Sequence, residues 1–98
     1  MNPDISIQKA KWALAHTKGL RLIDVRSAQE YKSGHIAGST NIPLNRLGNI
    51  TKMIPGKSTP IFVCCKSGNR SAQAKTALLS MGYTDVTNIG SISGWQLS

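Results

Sequence analysis

Ile61-Phe62-Val63-Cys64-Cys65-Lys66-Ser67-Gly68-Asn69-Arg70-Ser71 turns from apolar to polar within one residue. After Pro60, the run Ile61–Cys64 is almost wholly apolar, the pattern of a central parallel strand covered on both faces. Lys66-Ser67-Gly68-Asn69 reads as a loop. From Arg70 onward, Ala74, Ala77, Leu78 and Met81 recur at helical spacing, and Gly82 stops the helix. Cys65 therefore stands in a strand–loop–helix junction, at the carboxyl end of a central strand. Open α/β sheets bind ligands outside the carboxyl ends of their strands, so chemistry is expected at Cys65.

The flanking segments supply the alternation such a sheet needs. Residues 7–17 predict a helix, with Ile7, Ala10 and Leu14 on one face, Ser6 as cap and Gly19 beyond the end. Trp12 lies off that stripe and is expected to cover an edge of the core. Residues 20–25 predict a short buried strand. Ser27 and Glu30 match a capping box, which starts a short helix. Gly34, Gly38 and Pro43 punctuate the next part, with an extended piece at 40–42. Leu44, Leu47, Ile50 and Ile54 give weak helical spacing over 44–54, and Pro55-Gly56 makes a turn. Residues 85–89 predict a last strand and 92–97 a final helical turn. Strands alternating with helices argue an α/β fold with a mostly parallel sheet.

Composition bounds the rest. With 98 residues and no linker, repeat or low-complexity stretch, the chain reads as a single domain over 1–98. Twelve basic and four acidic residues give a formal charge of +8, which excludes an acidic, calcium-buffering protein and favours anionic partners. The basic residues form no block, and five aromatic residues make no stacking platform, so a nucleic-acid partner is not expected. Two adjacent cysteines are too few for a disulfide scaffold and read as free thiols in a reducing compartment. Met1 to Ile7 lack the pattern of a signal peptide, and no apolar run approaches the roughly 20 residues of a membrane helix. The expectation is a cytoplasmic protein without a membrane partner.

The segment around Cys65 is built to stabilise negative charge. A thiol becomes a good nucleophile when it loses its proton, and a helix N-terminus, Lys66 and Arg70 all favour that loss. Gly68 lets the loop turn its amides inward as an anion cradle. Cys65 is thus the candidate nucleophile, and Lys66, Ser67, Gly68, Asn69 and Arg70 the candidate anion-binding loop. Ser71 is expected to steady the loop and helix start, or to donate to the sulfur. Asp24, at a strand end beside the loop, is either a carboxylate tuning Cys65 or a solvated cap. Cys64 belongs to the apolar run and is expected in the core. Arg26 and Glu30 are close enough in sequence to pair as scaffold. His35 is expected to be a hydrogen-bonded structural residue, and His16 a favourable charge at a helix end. No metal and no cofactor are expected, since no paired His and Cys or Cys-x-x-Cys occurs.

Four stretches, in order, resemble the rhodanese sulfurtransferase family. Leu22-Ile23-Asp24-Val25-Arg26 is similar to its Asp-Val-Arg strand. Glu30-Tyr31, followed by Gly34-His35-Ile36-Ala37-Gly38-Ser39-Thr40-Asn41-Ile42-Pro43, is similar to its Gly-His-Ile signature, with Ser39 at the usual Ala. Val63 to Ser71 is similar to the active-site loop. Met81-Gly82-Tyr83 and the segment from Gly90 to Trp95 are similar to the closing region. The resemblance implies a three-layer rhodanese-like domain with a central, mostly parallel sheet flanked by helices. It also implies a thiosulfate sulfurtransferase that carries sulfur as a Cys65 persulfide. The donor would be thiosulfate, a persulfide or a polysulfide, and the acceptor cyanide or a thiol. Two departures stand out. Ser91 follows Gly90 where the family often has a second glycine, and the chain stops three residues after Trp95, where many relatives continue.

Two other readings share this chemistry. Cysteine phosphatases and arsenate reductases also combine a thiolate, an amide cradle and an arginine, but usually with five residues between Cys and Arg. Four lie between Cys65 and Arg70, a narrower bowl suited to one sulfur. A non-enzymatic persulfide carrier or docking module, meeting an acidic protein acceptor through the basic surface, is the other alternative.

Overall fold

The five apolar residues of Ile61–Cys65 (β3) are all buried because the strand is covered on both faces. Their side chains alternate. Ile61, Val63 and Cys65 enter one core, and Phe62 and Cys64 enter the other. The computed structural model describes residues 3–98; the reading of Met1 and Asn2 as part of a leaderless N-terminus lies outside them.

Three further strands lie parallel to β3: Arg21–Asp24 (β1), Thr40–Asn41 (β2) and Val86–Ser91 (β4), in the order β2-β1-β3-β4. Helix Ile7–His16 (α1) covers one face through Ala10, packed with Leu22, Phe62, Cys64 and Ile89. Helix Asn69–Ser80 (α4) covers the other through Ala74 and Leu78. Beside it pack a 3₁₀ segment, Leu44–Asn49, and a short helix, Ile50–Met53 (α3). Helix Ala28–Lys32 (α2) starts with the expected capping box between Ser27 and Glu30. The result is the expected three-layer α/β arrangement. Each fully buried Ile, Leu or Val contributes roughly 1.5–3 kcal/mol.

Several expectations need correction. Trp12 covers no core edge: it is 63% exposed and stacks on His16 of the same helix. Residues 44–54 are not one helix, because Arg46 breaks the helical backbone inside the 3₁₀ segment. Residues 92–97 form no helical turn. Trp95 N–H closes a tight turn on the Ile92 carbonyl at 3.1 Å with Gly94 at φ 87°, a non-helical backbone, and Leu97 then pairs antiparallel with Ile36, with Ser98 N–H donating to the His35 carbonyl at 2.7 Å. Backbone pairing with the 35–36 segment outcompetes a helix too short to sustain itself. His35 is hydrogen-bonded as expected, its Nδ1 lying 2.9 Å from the Tyr31 carbonyl and its ring stacked on Tyr31.

β4 runs two residues past its expected end, and it carries a bulge. Val63 pairs with Asn88 but Cys64 with Gly90, so Ile89 is an extra residue on β4. Bulges bend a strand and re-aim its side chains. Here Gly90 takes φ 79°, a left-handed backbone that favours glycine, and a Cβ there would come within 3.2 Å of Pro3. The bulge lies beside the Cys65 end of the sheet.

Candidate active site

The turn after β3 is closed by Gly68, which adopts φ 95° and caps α4. A left-handed residue here turns the chain back over the strand end, and α4 starts directly above Cys65. The sulfur sits at the centre. Gly68 N–H donates to Cys65 Sγ at 2.9 Å, and Ser71 N–H at 3.4 Å. The Cys65 thiol donates to Ser71 Oγ at 3.3 Å, and that hydroxyl donates to the Gly68 carbonyl at 3.1 Å. A hydroxyl rotates freely, so Ser71 can turn its proton to the sulfur once the thiol ionises.

These contacts set the ionisation of the two cysteines apart. Burial pushes the Cys65 thiol up, but the Ser71 hydroxyl and the amides of Ser71, Gly68 and Ser67 more than offset it. The net shift is downward from the ordinary thiol value. Burial also pushes the Cys64 thiol up, and the Asp24 charge adds to the rise, so Cys64 stays protonated far beyond neutral pH. Both are free thiols with no exposed surface.

Asp24 does not touch Cys65. It is fully buried and holds Arg26 through a fork: Arg26 Nη2 donates to Oδ2 at 2.7 Å and Nε to Oδ1 at 3.0 Å. This also corrects the expected pairing of Arg26 with Glu30. Arg26 gives Glu30 only a contact to its backbone carbonyl. The Glu30 carboxylate instead takes Arg70, with Nη1–Oε1 2.6 Å and Nη2–Oε2 3.0 Å. Arg70, expected in the anion-binding loop with its charge favouring the thiolate, is thus engaged by a carboxylate from α2. The Arg70 guanidinium holds Glu30 down at about 2. Sequence reading found Glu30 as a cap but missed this role, because its partner lies 40 residues away.

The loop's remaining residues, Lys66, Ser67 and Asn69, are all exposed, and Lys66 makes no ion pair among the described residues. Lys66, Glu30, Ile92 and Trp95 line an open cleft of about 590 Å³. Arg70 and Leu44 line a second of about 470 Å³, so the Glu30–Arg70 pair stands between the two. No metal-binding cluster occurs among the described residues, and no helix among them is long and apolar enough to cross a membrane.

A strand end, an amide cradle and a thiol with lowered pKa are what the segment from Ile61 to Ser71 predicts. The family model of the rhodanese-like domain matches residues 8–98. The chain belongs to the rhodanese-like domain family. This rhodanese is 41% identical over 71 residues to the thiosulfate sulfurtransferase PspE of Escherichia coli, covering 71% of this chain and 68% of that protein. It is 38% identical over 89 residues to the chloroplastic thiosulfate sulfurtransferase 16 of Arabidopsis thaliana, covering 79% and 74%. A solved rhodanese with anions from E. coli superposes with a TM-score of 0.76 at 35% identity, over 81% of this rhodanese and 96% of that chain.

Proposed function

We propose that this rhodanese is a thiosulfate sulfurtransferase that works through a Cys65 persulfide. The observation that carries the reading is the Gly68 amide 2.9 Å from Cys65 Sγ, beneath the start of α4. An amide cradle at a helix N-terminus stabilises a thiolate before reaction and a persulfide anion after it.

The cycle has two displacements. The Cys65 thiolate attacks the outer sulfur of thiosulfate. The sulfur–sulfur bond breaks, sulfite leaves with the electron pair, and Cys65 retains one added sulfur. Cyanide or a thiolate then attacks that outer sulfur, leaving as thiocyanate or a persulfide and restoring the Cys65 thiolate. A persulfide or polysulfide donor follows the same course with a thiolate leaving group. Lys66, free of ion pairs among the described residues, attracts the anionic donor from the cleft it lines. Arg70 contributes through the rim it forms with Glu30. The same cleft, on a chain of charge +8, suits an acidic protein that brings the acceptor thiol. Two free, unbridged thiols fit a reducing compartment such as the cytoplasm.

Incubation with thiosulfate followed by intact mass measurement tests the assignment. Wild type and Cys64→Ser gain one sulfur, and Cys65→Ser gains none. Loading retained in Cys65→Ser, or lost only in Cys64→Ser, overturns it. Turnover with cyanide then separates an enzyme from a carrier that loads but does not release.

A further inference from the structure

Ser91 ends β4, and the site as described gives it no task. Its hydroxyl is nonetheless fully engaged. Ser93 N–H donates to Ser91 Oγ at 3.0 Å, which leaves the hydroxyl proton for the Lys66 carbonyl, 2.5 Å away. One residue along, Ile92 N–H donates to the Cys65 carbonyl at 2.9 Å. The first two carbonyls of the catalytic turn are therefore both drawn toward the end of β4. The backbone bond from Ile92 is open to any residue at 92. The bond to Lys66 depends on the hydroxyl, and the bulge on β4 brings Ser91 level with Cys65.

We infer that Ser91 is a positioning residue for Cys65, its hydroxyl hooking the Lys66 carbonyl so that the 65–68 turn keeps its amides on the sulfur. The inference rests on the reading of Cys65 as the nucleophile. Peptide planes are rigid, so fixing the Lys66 carbonyl fixes the Ser67 N–H of the same plane on the opposite side. One plane further along, Gly68 N–H donates to Cys65 Sγ at 2.9 Å, and the Ser67 amide favours the thiolate as well. Without the hook, the Lys66–Ser67 plane loses that anchor, and only the preceding Cys65–Lys66 plane stays tied to the end of β4, through the Cys65 carbonyl and the Ile92 N–H. The Gly68 amide that follows then spends less time on the sulfur, and the thiolate is less favoured. Ser91 touches neither sulfur nor substrate, so its effect is read through Cys65.

The test is the pH profile of Cys65 alkylation by iodoacetamide, followed by mass spectrometry that assigns the modified residue. Only the thiolate reacts, so the profile's midpoint reports the Cys65 ionisation. Ser91→Ala moves the midpoint upward and slows the reaction at pH 6 by about 3- to 10-fold, with the high-pH plateau unchanged. Ser91→Thr restores the wild-type profile. The pair Ser91→Thr and Ser91→Val differs only by hydroxyl against methyl, and carries the comparison if Ser91→Ala is too unstable to assay. A profile for Ser91→Ala or Ser91→Val that superimposes on wild type overturns the hook. So does a Ser91→Thr profile displaced as far as that of Ser91→Val. Sulfur loading that persists in Cys65→Ser sinks the reading of the site instead, and is measured separately.

Discussion

Cys64 and Cys65 share a peptide bond, yet Cys64 packs with the residues under α1 and Cys65 with those under α4. Both are buried to the same degree, so burial alone does not separate them. What separates them is the hydrogen-bond donors each finds. On the α4 side, amides of the turn and the Ser71 hydroxyl converge on the sulfur. On the α1 side the sulfur meets Ala10, Leu22 and other apolar groups, and the nearby Asp24 charge opposes ionisation. A strand covered on both faces can thus shift the ionisation of two consecutive thiols in opposite directions. Desolvation becomes an advantage only where fixed dipoles replace the lost water.

The largest effect is the difference in reactivity itself. At neutral pH in the folded protein, iodoacetamide is expected to label Cys65 at least ~100-fold faster than Cys64, and in concentrated guanidinium both at similar rates. Equal labelling in the folded state would break the comparison. The next effect is on the Cys64 side. Asp24→Asn leaves the Arg26 guanidinium buried without its counter-charge, and is expected to cost about 3 kcal/mol in urea denaturation. Its Cys65 alkylation profile should stay in place, because the Asp24 carboxylate makes no hydrogen bond to the loop. A smaller change targets the Cys65 side alone. Gly68→Ala places a Cβ on a left-handed residue, with an expected loss of roughly 1–2 kcal/mol. Because Gly68 also supplies the 2.9 Å amide, its Cys65 midpoint should rise while the inertness of Cys64 persists.

The strand–loop–helix junction was legible in the sequence because its signals are local. The apolar run ends at Cys65, Gly68 supplies the turn, and Ala74 and Leu78 repeat at helical spacing beyond it. The place of Cys64 in the core was legible for the same reason, since it belongs to that run; that Cys65 is buried as well, in the opposite core, follows from the cover on both faces of β3. Partner choice was not. Arg26 and Glu30 sit within one turn of each other, but the fold buries Asp24 beside Arg26 and brings Arg70 to Glu30 from 40 residues away. The end of the chain failed in the same way. Leu97 pairs with Ile36, a contact no window around 92–97 contains. The role of Ser91 was also hidden, since the bulge that aims it depends on the register of β4 against β3.

The Glu30–Arg70 pair gives the smallest effect and the sharpest control on the comparison, because it borders the Cys65 side without touching the sulfur. Glu30 is held at about 2 against an ordinary 4.5. A carboxyl depressed on folding stabilises the protein fully above its unfolded value. That contribution falls away as pH drops from about 4.5 and is gone once the pH passes below about 2. The two side chains are about one-third exposed, at 34% and 31%, so solvent screening limits the pair to roughly 0.2–1 kcal/mol. Glu30→Gln should therefore lower stability at pH 7 by that amount, with the difference from wild type vanishing toward pH 2. Gln keeps an oxygen for the capping bond that Glu30 Oε1 accepts from Ser27 N–H at 3.0 Å, but without its charge, so a small further loss at pH 7 belongs to the cap. Arg70→Gln removes the pair and keeps the cap, and so separates the two contributions in urea denaturation measured at both pH values. If Arg70→Gln shifts the Cys65 alkylation midpoint as strongly as Gly68→Ala does, the reactive thiol is governed by rim charge rather than by the amides of its turn. An unmoved midpoint assigns the contrast between the two cysteines to the cradle.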